Sequence, residues 1–126
     1  MIEVVMAIVK KDSRVLLVRR AKGEGKLVWQ FPGGAVEEGE SVNDTALREL
    51  KEETGVTAKP LFVIGERVHP YTQKEMAYVA LEYIEGGLSV SDPDLDLAEW
   101  VEIDRLNDYF TTPLYDKVAD YLGITD

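Results

Sequence analysis

The sequence predicts a mixed α/β domain, an α/β/α sandwich in which a central mixed β-sheet is covered by helices on both faces. Three observations predict it. Apolar, β-branched runs lie both before and after one helical stretch in the middle of the chain. That stretch, residues 41–55, carries a start signal, a stop signal and an apolar stripe. A second helical pattern closes the chain. At 126 residues the expectation is one domain, residues 1–126, large enough to bury a core.

Residues 2–9 are apolar and β-branched, Lys10-Lys11-Asp12-Ser13 is a polar turn, and Val15-Leu16-Leu17-Val18 follows; together they predict a β-hairpin. Arg19, Arg20, Lys22 and Lys26 form the densest basic stretch, read as phosphate contacts near a strand end or as a solvated loop. In Trp29-Gln30-Phe31-Pro32-Gly33-Gly34, Pro32 biases Phe31 to an extended conformation and the glycines admit a close backbone approach. Trp29 and Phe31 read as core residues, with base stacking as a second reading for Trp29.

Ser41 is the expected N-cap of the central helix, with Asp44 in place of the usual Glu or Gln of a capping box. Gly55 is the expected left-handed stop. Val42, Ala46, Leu47 and Leu50 form the apolar face. Glu49, Glu52 and Glu53, spaced i, i+3, i+4, share another face. Beyond the helix, Thr57–Val68 reads as a strand, 69–74 as a loop, and Met76–Ile84 as a second strand ended by Glu85-Gly86-Gly87. Residues 89–96 are acidic and turn-rich, and Ala98–Ile103 reads as a short strand. Asp104 is the expected cap of a brief helix through Tyr109. Thr112-Pro113 is the expected start of the last helix, with Leu114, Val118, Tyr121 and Leu122 as its stripe.

Charge narrows the function classes. The formal net charge is −10, which disfavours a nucleic-acid partner, since a phosphate backbone needs clustered Lys and Arg. The aliphatic runs are too short to span a bilayer, and Ile2-Glu3-Val4-Val5-Met6 follows the first residue without a basic leader. The chain has no cysteine, which excludes disulfides and thiolate metal sites and fits a cytoplasmic location. An acidic protein acting on a polyphosphate needs cations as intermediaries. Three carboxylates on adjacent helical turns repel one another, and hard oxygen ligands of this kind suit Mg²⁺ or Mn²⁺. A solvated acidic helix face is the competing reading of Glu49, Glu52 and Glu53 alone.

The longer pattern decides between these. Gly34, five residues, Glu40, seven residues, Arg48-Glu49-Leu50, one residue, Glu52-Glu53, one residue, Gly55-Val56 resembles the Nudix box at every defined position. Seven exact residues and two aliphatics at fixed spacing arise by chance in well under ~1 in 10⁵ chains of average composition. The resemblance to the Nudix hydrolases, MutT-like in size, implies the Nudix fold and a metal-dependent pyrophosphohydrolase. It implies that Glu49, Glu52 and Glu53 bind Mg²⁺ or Mn²⁺, with the Gly33 carbonyl as a further ligand and Glu49 or a neighbour as base. Arg48 and Glu40 resemble the residues that orient these ligands.

A further acid is implied a few residues before a tryptophan. Asp92, Asp94, Asp96 and Glu99 precede Trp100, with Asp94 first and Asp96 second in preference. Arg19, Arg20, Trp29 and Tyr71 are the expected substrate contacts. His69, the one histidine, reads as a loop residue before it reads as a base. The expected substrate is a small nucleotide: a nucleoside triphosphate, oxidised forms included, cleaved to monophosphate and pyrophosphate. ADP-ribose or a dinucleoside polyphosphate is the alternative, and a non-catalytic nucleotide sensor is the rival from another class. The resemblance also admits a homodimer.

Overall fold

In the computed structural model the described residues are 1–20, 29–110 and 113–124; Lys22, Lys26 and Thr112 lie outside them. Seven strands form one sheet: β1 (Val4–Lys11), β2 (Arg14–Arg20), β3 (Trp29–Gln30), β4 (Gly33–Ala35), β5 (Thr57–Val68), β6 (Glu75–Glu85) and β7 (Leu95–Glu102). The helices are α1 (Val42–Thr54), a 3-10 helix at Ile103–Asp108, and α2 (Asp116–Leu122).

The hairpin of β1 and β2 turns at Asp12, whose φ of 56° is the left-handed conformation that short polar residues tolerate. Its strands pair only at Lys10↔Val15 and Lys11↔Arg14 before they diverge. Their separation lets β4 pair with the first half of β1, Val4↔Ala35 to Met6↔Gly33. On its other edge β1 pairs in parallel with β6, and β6 pairs antiparallel with β5. β2 turns away to pair with β7 along its length and with β3 at Val18 and Arg19.

β1 is buried on both faces, which explains its unbroken apolar run. Val5, Ala7 and Val9 pack with Ala46 and Leu50 of α1. Met6 and Ile8 pack on the opposite side with Leu106, Val118 and Leu122. This is the expected sandwich. Full burial of a Val, Leu, Ile or Met side chain here contributes ~1.5–3 kcal/mol.

β5 has the bounds the sequence predicts, and the stripe Leu114, Val118, Tyr121, Leu122 packs as expected. Two boundaries differ by about three residues. β7 begins at Leu95, inside the stretch read as a turn-rich loop, because Arg19 and Arg20 extend the β2 ladder to Leu97 and Leu95. α2 begins at Asp116, not at Thr112-Pro113. Tyr115 has an extended ψ of 128°, its ring packs 4.9 Å from the Tyr78 ring, and its hydroxyl donates to the Glu66 carbonyl. These contacts outside the helix hold residue 115 out of helical geometry. Asp104 does not cap the 3-10 helix; Glu102 occupies that position without a side-chain bond.

Candidate active site

Local chemistry sets α1. Ser41 Oγ accepts from the Asp44 amide at 3.0 Å, and Asp44 Oδ2 accepts from the Ser41 amide at 3.1 Å. Aspartate therefore completes the capping box. At the other end Gly55 has φ 79° and its amide donates to the Lys51 carbonyl. Leu50, fully buried, anchors the apolar face.

Arg48 is the hub of the polar face. Its Nε and Nη2 donate to the two oxygens of Glu40 at 2.7 and 3.0 Å. Nη1 donates to Glu49 at 2.8 Å and to Glu52 at 3.3 Å, and Nη2 also donates to the Ala35 carbonyl at 3.0 Å. Glu40 further accepts from the Glu37 amide and from Thr45 Oγ1. The Arg48 hydrogen bonds, supported by that amide, hold the Glu40 carboxyl down to about 2. Arg48 thereby holds the carboxylates of Glu40 and Glu49 in fixed directions.

Glu53 is the buried carboxyl, 5% exposed. Burial pushes it up to about 8; the Gly33 amide, donating at 3.0 Å, opposes this, while Glu49 and Asp92 add to it. Glu49 is among the groups that raise Glu53, and its own carboxyl is raised, first by burial. Gly33 and Gly34 of the adjoining strand leave the space that their neighbours fill. A Cβ on Gly34 would lie 2.5 Å from Glu49 Cδ, and one on Gly33 would run into the Val5 carbonyl.

The structure sorts the predicted residues. Glu49, Glu53 and Gly33 come together, Gly33 through its amide. Glu52 is exposed and turned to Arg48. A downstream acid whose charge bears on Glu49 and Glu53 is Asp92. Ser91 Oγ donates to the Glu52 carbonyl and the Ser89 amide to the Thr54 carbonyl, so the loop docks on the end of α1. Asp94 is exposed, and its amide donates to Asp92 Oδ1. Asp96 is taken by Arg19 in a two-bond pair, both at 2.8 Å. Among the described residues no three Asp, Glu or His side chains close on one point as a ready-made cation cage.

Next to Gly33–Ala35 lies a cleft of about 410 Å³ on the sheet face away from α1. Trp29, Phe31, Tyr78, Phe110 and Tyr115 supply aromatic wall, and Arg20, Gln30, Arg67, His69 and Lys74 supply polar groups. This volume suits a nucleotide-sized ligand. Of the expected substrate contacts, Arg20 and Trp29 line it; Arg19 and the exposed Tyr71 do not. Arg19 is held by Asp96 instead, and Tyr71 stacks beside His69 at the loop tip. Sequence reasoning missed Gln30, Arg67, Tyr78 and Tyr115. A lone arginine within the apolar run of β5 was the available signal for Arg67.

Comparison with known proteins bears on the fold and the family. The NUDIX domain matches residues 1–122. The chain is 33% identical over 103 residues to an ADP-ribose pyrophosphatase of Methanocaldococcus jannaschii, covering 79% of this chain and 60% of that protein. It is 41% identical over 78 residues to a CTP pyrophosphohydrolase of Escherichia coli K12, covering 61% and 54%. The chain thus spans little more than half the length of these relatives. The crystal structure of a MutT protein from Methanosarcina mazei Go1 superposes with a TM-score of 0.72 at 26% identity, covering 97% of this chain and 90% of that one. The box, the sheet around it and these matches have one reading: the chain belongs to the Nudix family.

Proposed function

We propose that the chain is a metal-dependent pyrophosphohydrolase acting on a phosphoanhydride in a nucleoside diphosphate-linked substrate. A nucleoside triphosphate, cleaved to monophosphate and pyrophosphate, is the first candidate; ADP-ribose and dinucleoside polyphosphates follow. The carrying observation is the pair of raised carboxyls Glu49 and Glu53 against Gly33 and Gly34, two residues that also line an aromatic cleft.

The donor set fits a divalent cation. It is all oxygen, and two carboxyls share a site where both cannot ionise cheaply without a counter-charge. Glu49 and Glu53 would hold Mg²⁺ or Mn²⁺, with Asp92 and Glu52 as further carboxylates whose charge reaches the site. When bound, the cation neutralises phosphate charge and lowers the pKa of water.

The chain's own residues do the rest. Arg48 locks the orientation of Glu49 while Glu40 locks Arg48. The Gly33 amide fixes Glu53. The cleft walls orient the nucleoside part, so that attack on phosphorus is in line. Water adds to one phosphorus, the anhydride P–O bond breaks, and the leaving phosphate keeps the bonding pair. Glu49 or its neighbour takes the proton released.

The test is product analysis with Mg²⁺ or Mn²⁺ on nucleoside triphosphates, 8-oxo forms, ADP-ribose, dinucleoside polyphosphates and nucleotide sugars. Cation-dependent turnover of one class is expected. Absence of turnover across the panel by folded protein would replace the hydrolase with a nucleotide-sensing domain.

A further inference from the structure

The cleft contains a cationic cluster that the box chemistry does not use. Arg67 lies near the end of β5, where its Nε and Nη2 both donate to the Tyr78 hydroxyl, at 3.2 and 3.0 Å. Its guanidinium stacks 4.7 Å from the Tyr115 ring centre. Tyr115 is in turn tied to the Glu66 carbonyl. Two of the five guanidinium N–H groups are thus engaged along one edge, and the end-on pair remains for a ligand. Among the described residues Arg67 has no carboxylate partner, although the chain holds 24 acids against 14 Lys and Arg. A held arginine fork with a free end matches two oxygens of a phosphate.

Two neighbours strengthen that match. His69 Nδ1 accepts from the Tyr71 and Thr72 amides at 3.1 and 3.2 Å, which leaves the ring proton on Nε2 as a donor. The loop that carries it is pinned by His69 and Lys74 backbone bonds. Lys74 lines the same cleft. No Asp or Glu is among the described residues that line it. In a protein of net charge −10 this is a local reversal of sign, the arrangement that concentrates an anion.

We propose that Arg67, His69 and Lys74 form a phosphate subsite for a phosphoryl group that is not one of the two joined by the scissile anhydride. The inference rests on the cleft being the substrate site. It assigns the substrate class: nucleotides with an additional phosphate, either at the end of the polyphosphate chain or on the ribose. Arg67 is the specificity-determining residue, because its remaining N–H pair meets two acceptors at once while the Lys74 ammonium supplies charge alone.

Binding tests this without turnover. In Mg²⁺, α,β-methylene ATP is compared with α,β-methylene ADP, and adenosine 3′,5′-bisphosphate with AMP, by calorimetric titration. Wild type is expected to favour the extra phosphate by about tenfold or more in one pair, and that pair names the source. Arg67→Gln should reduce the advantage to below about threefold, with more affinity lost for the more phosphorylated member than for the less phosphorylated one. Lys74→Gln, at an exposed position that endangers no fold, should reduce it by about two- to threefold. No advantage in either pair, or equal loss of both members in Arg67→Gln, overturns the subsite. A retained advantage in a protein that hydrolyses nothing would sink the hydrolase and leave the subsite standing. Turnover without any advantage would do the reverse.

Discussion

Arg48 grips both oxygens of Glu40, Nε at 2.7 Å and Nη2 at 3.0 Å, and so ties the loop before α1 to the middle of the helix. The same guanidinium reaches Glu49 at 2.8 Å. Glu40, eight positions from Arg48, therefore acts through that guanidinium on the direction of the Glu49 carboxylate.

This pair gives a pH dependence with a definite sign. Glu40 is lowered in the folded protein from 4.5 to about 2, first by its Arg48 bonds. Its stabilising effect is complete above its unfolded value and lost as pH falls through the folded one. Urea midpoints of wild type and Glu40→Gln should differ at pH 7 and converge between about pH 4.5 and 2. A gap that stays constant down to pH 2 would show that Glu40 acts without its charge.

Glu53→Gln keeps an oxygen for the Gly33 amide but cannot ionise to hold a cation. Turnover should fall roughly 10²–10⁴-fold with the circular dichroism spectrum unchanged. Full turnover in the folded variant would remove Glu53 from the chemistry.

Asp92 and Asp94 separate by position. Asp92 acts on the charge of Glu49 and Glu53, whereas Asp94 is exposed. Asp92→Asn should lower kcat by about tenfold or more, and Asp94→Asn by less than about twofold. Equal losses in parallel steady-state assays would contradict this ordering.

The two glycines should fail in different ways. A Cβ on Gly33 meets the backbone carbonyl of Val5, so Gly33→Ala should cost ~1–3 kcal/mol of stability by pushing β4 from β1. A Cβ on Gly34 meets the Glu49 carboxyl at 2.5 Å, and that side chain can turn aside. Gly34→Ala should keep more of its stability yet lose about 10²-fold in activity. Thermal melts and rates on both variants decide it, and the reverse pattern would count against a site built on Glu49.

Leu50→Ala should lower stability by ~2–5 kcal/mol, since the side chain is fully buried among Val5, Ala7 and Ala46. A nearly unchanged denaturation midpoint would mean that the helix face can collapse onto the void.

Some of the site was legible because its determinants are local. The Ser41–Asp44 box, the left-handed Gly55 and the spacing of Glu49, Glu52 and Glu53 all act within one helix. The bounds of β5 followed from the same short-range patterning. Where a long-range contact competes, local reading failed. Pro113 suggested a helix start, but Tyr115, held by Tyr78 and Glu66, stays extended and delays the helix to Asp116. The acidic loop offered four carboxylates before Trp100, and only docking of Ser89 and Ser91 on α1 singles out Asp92.

The sequence by itself determined the family, the central helix and its carboxylate face, because fixed helical spacing converts order along the chain into position in space. Tertiary structure alone decided the cleft. Arg67 from β5, Tyr78 from β6, Tyr115 before α2 and Trp29 from β3 meet only once the sheet has formed and the C-terminal segment has folded over it. It also decided which charges are spent. Arg19 and Arg20 are adjacent on β2, where side chains alternate between faces. Arg19 therefore closes on Asp96 while Arg20 turns to Gln30 and the cleft.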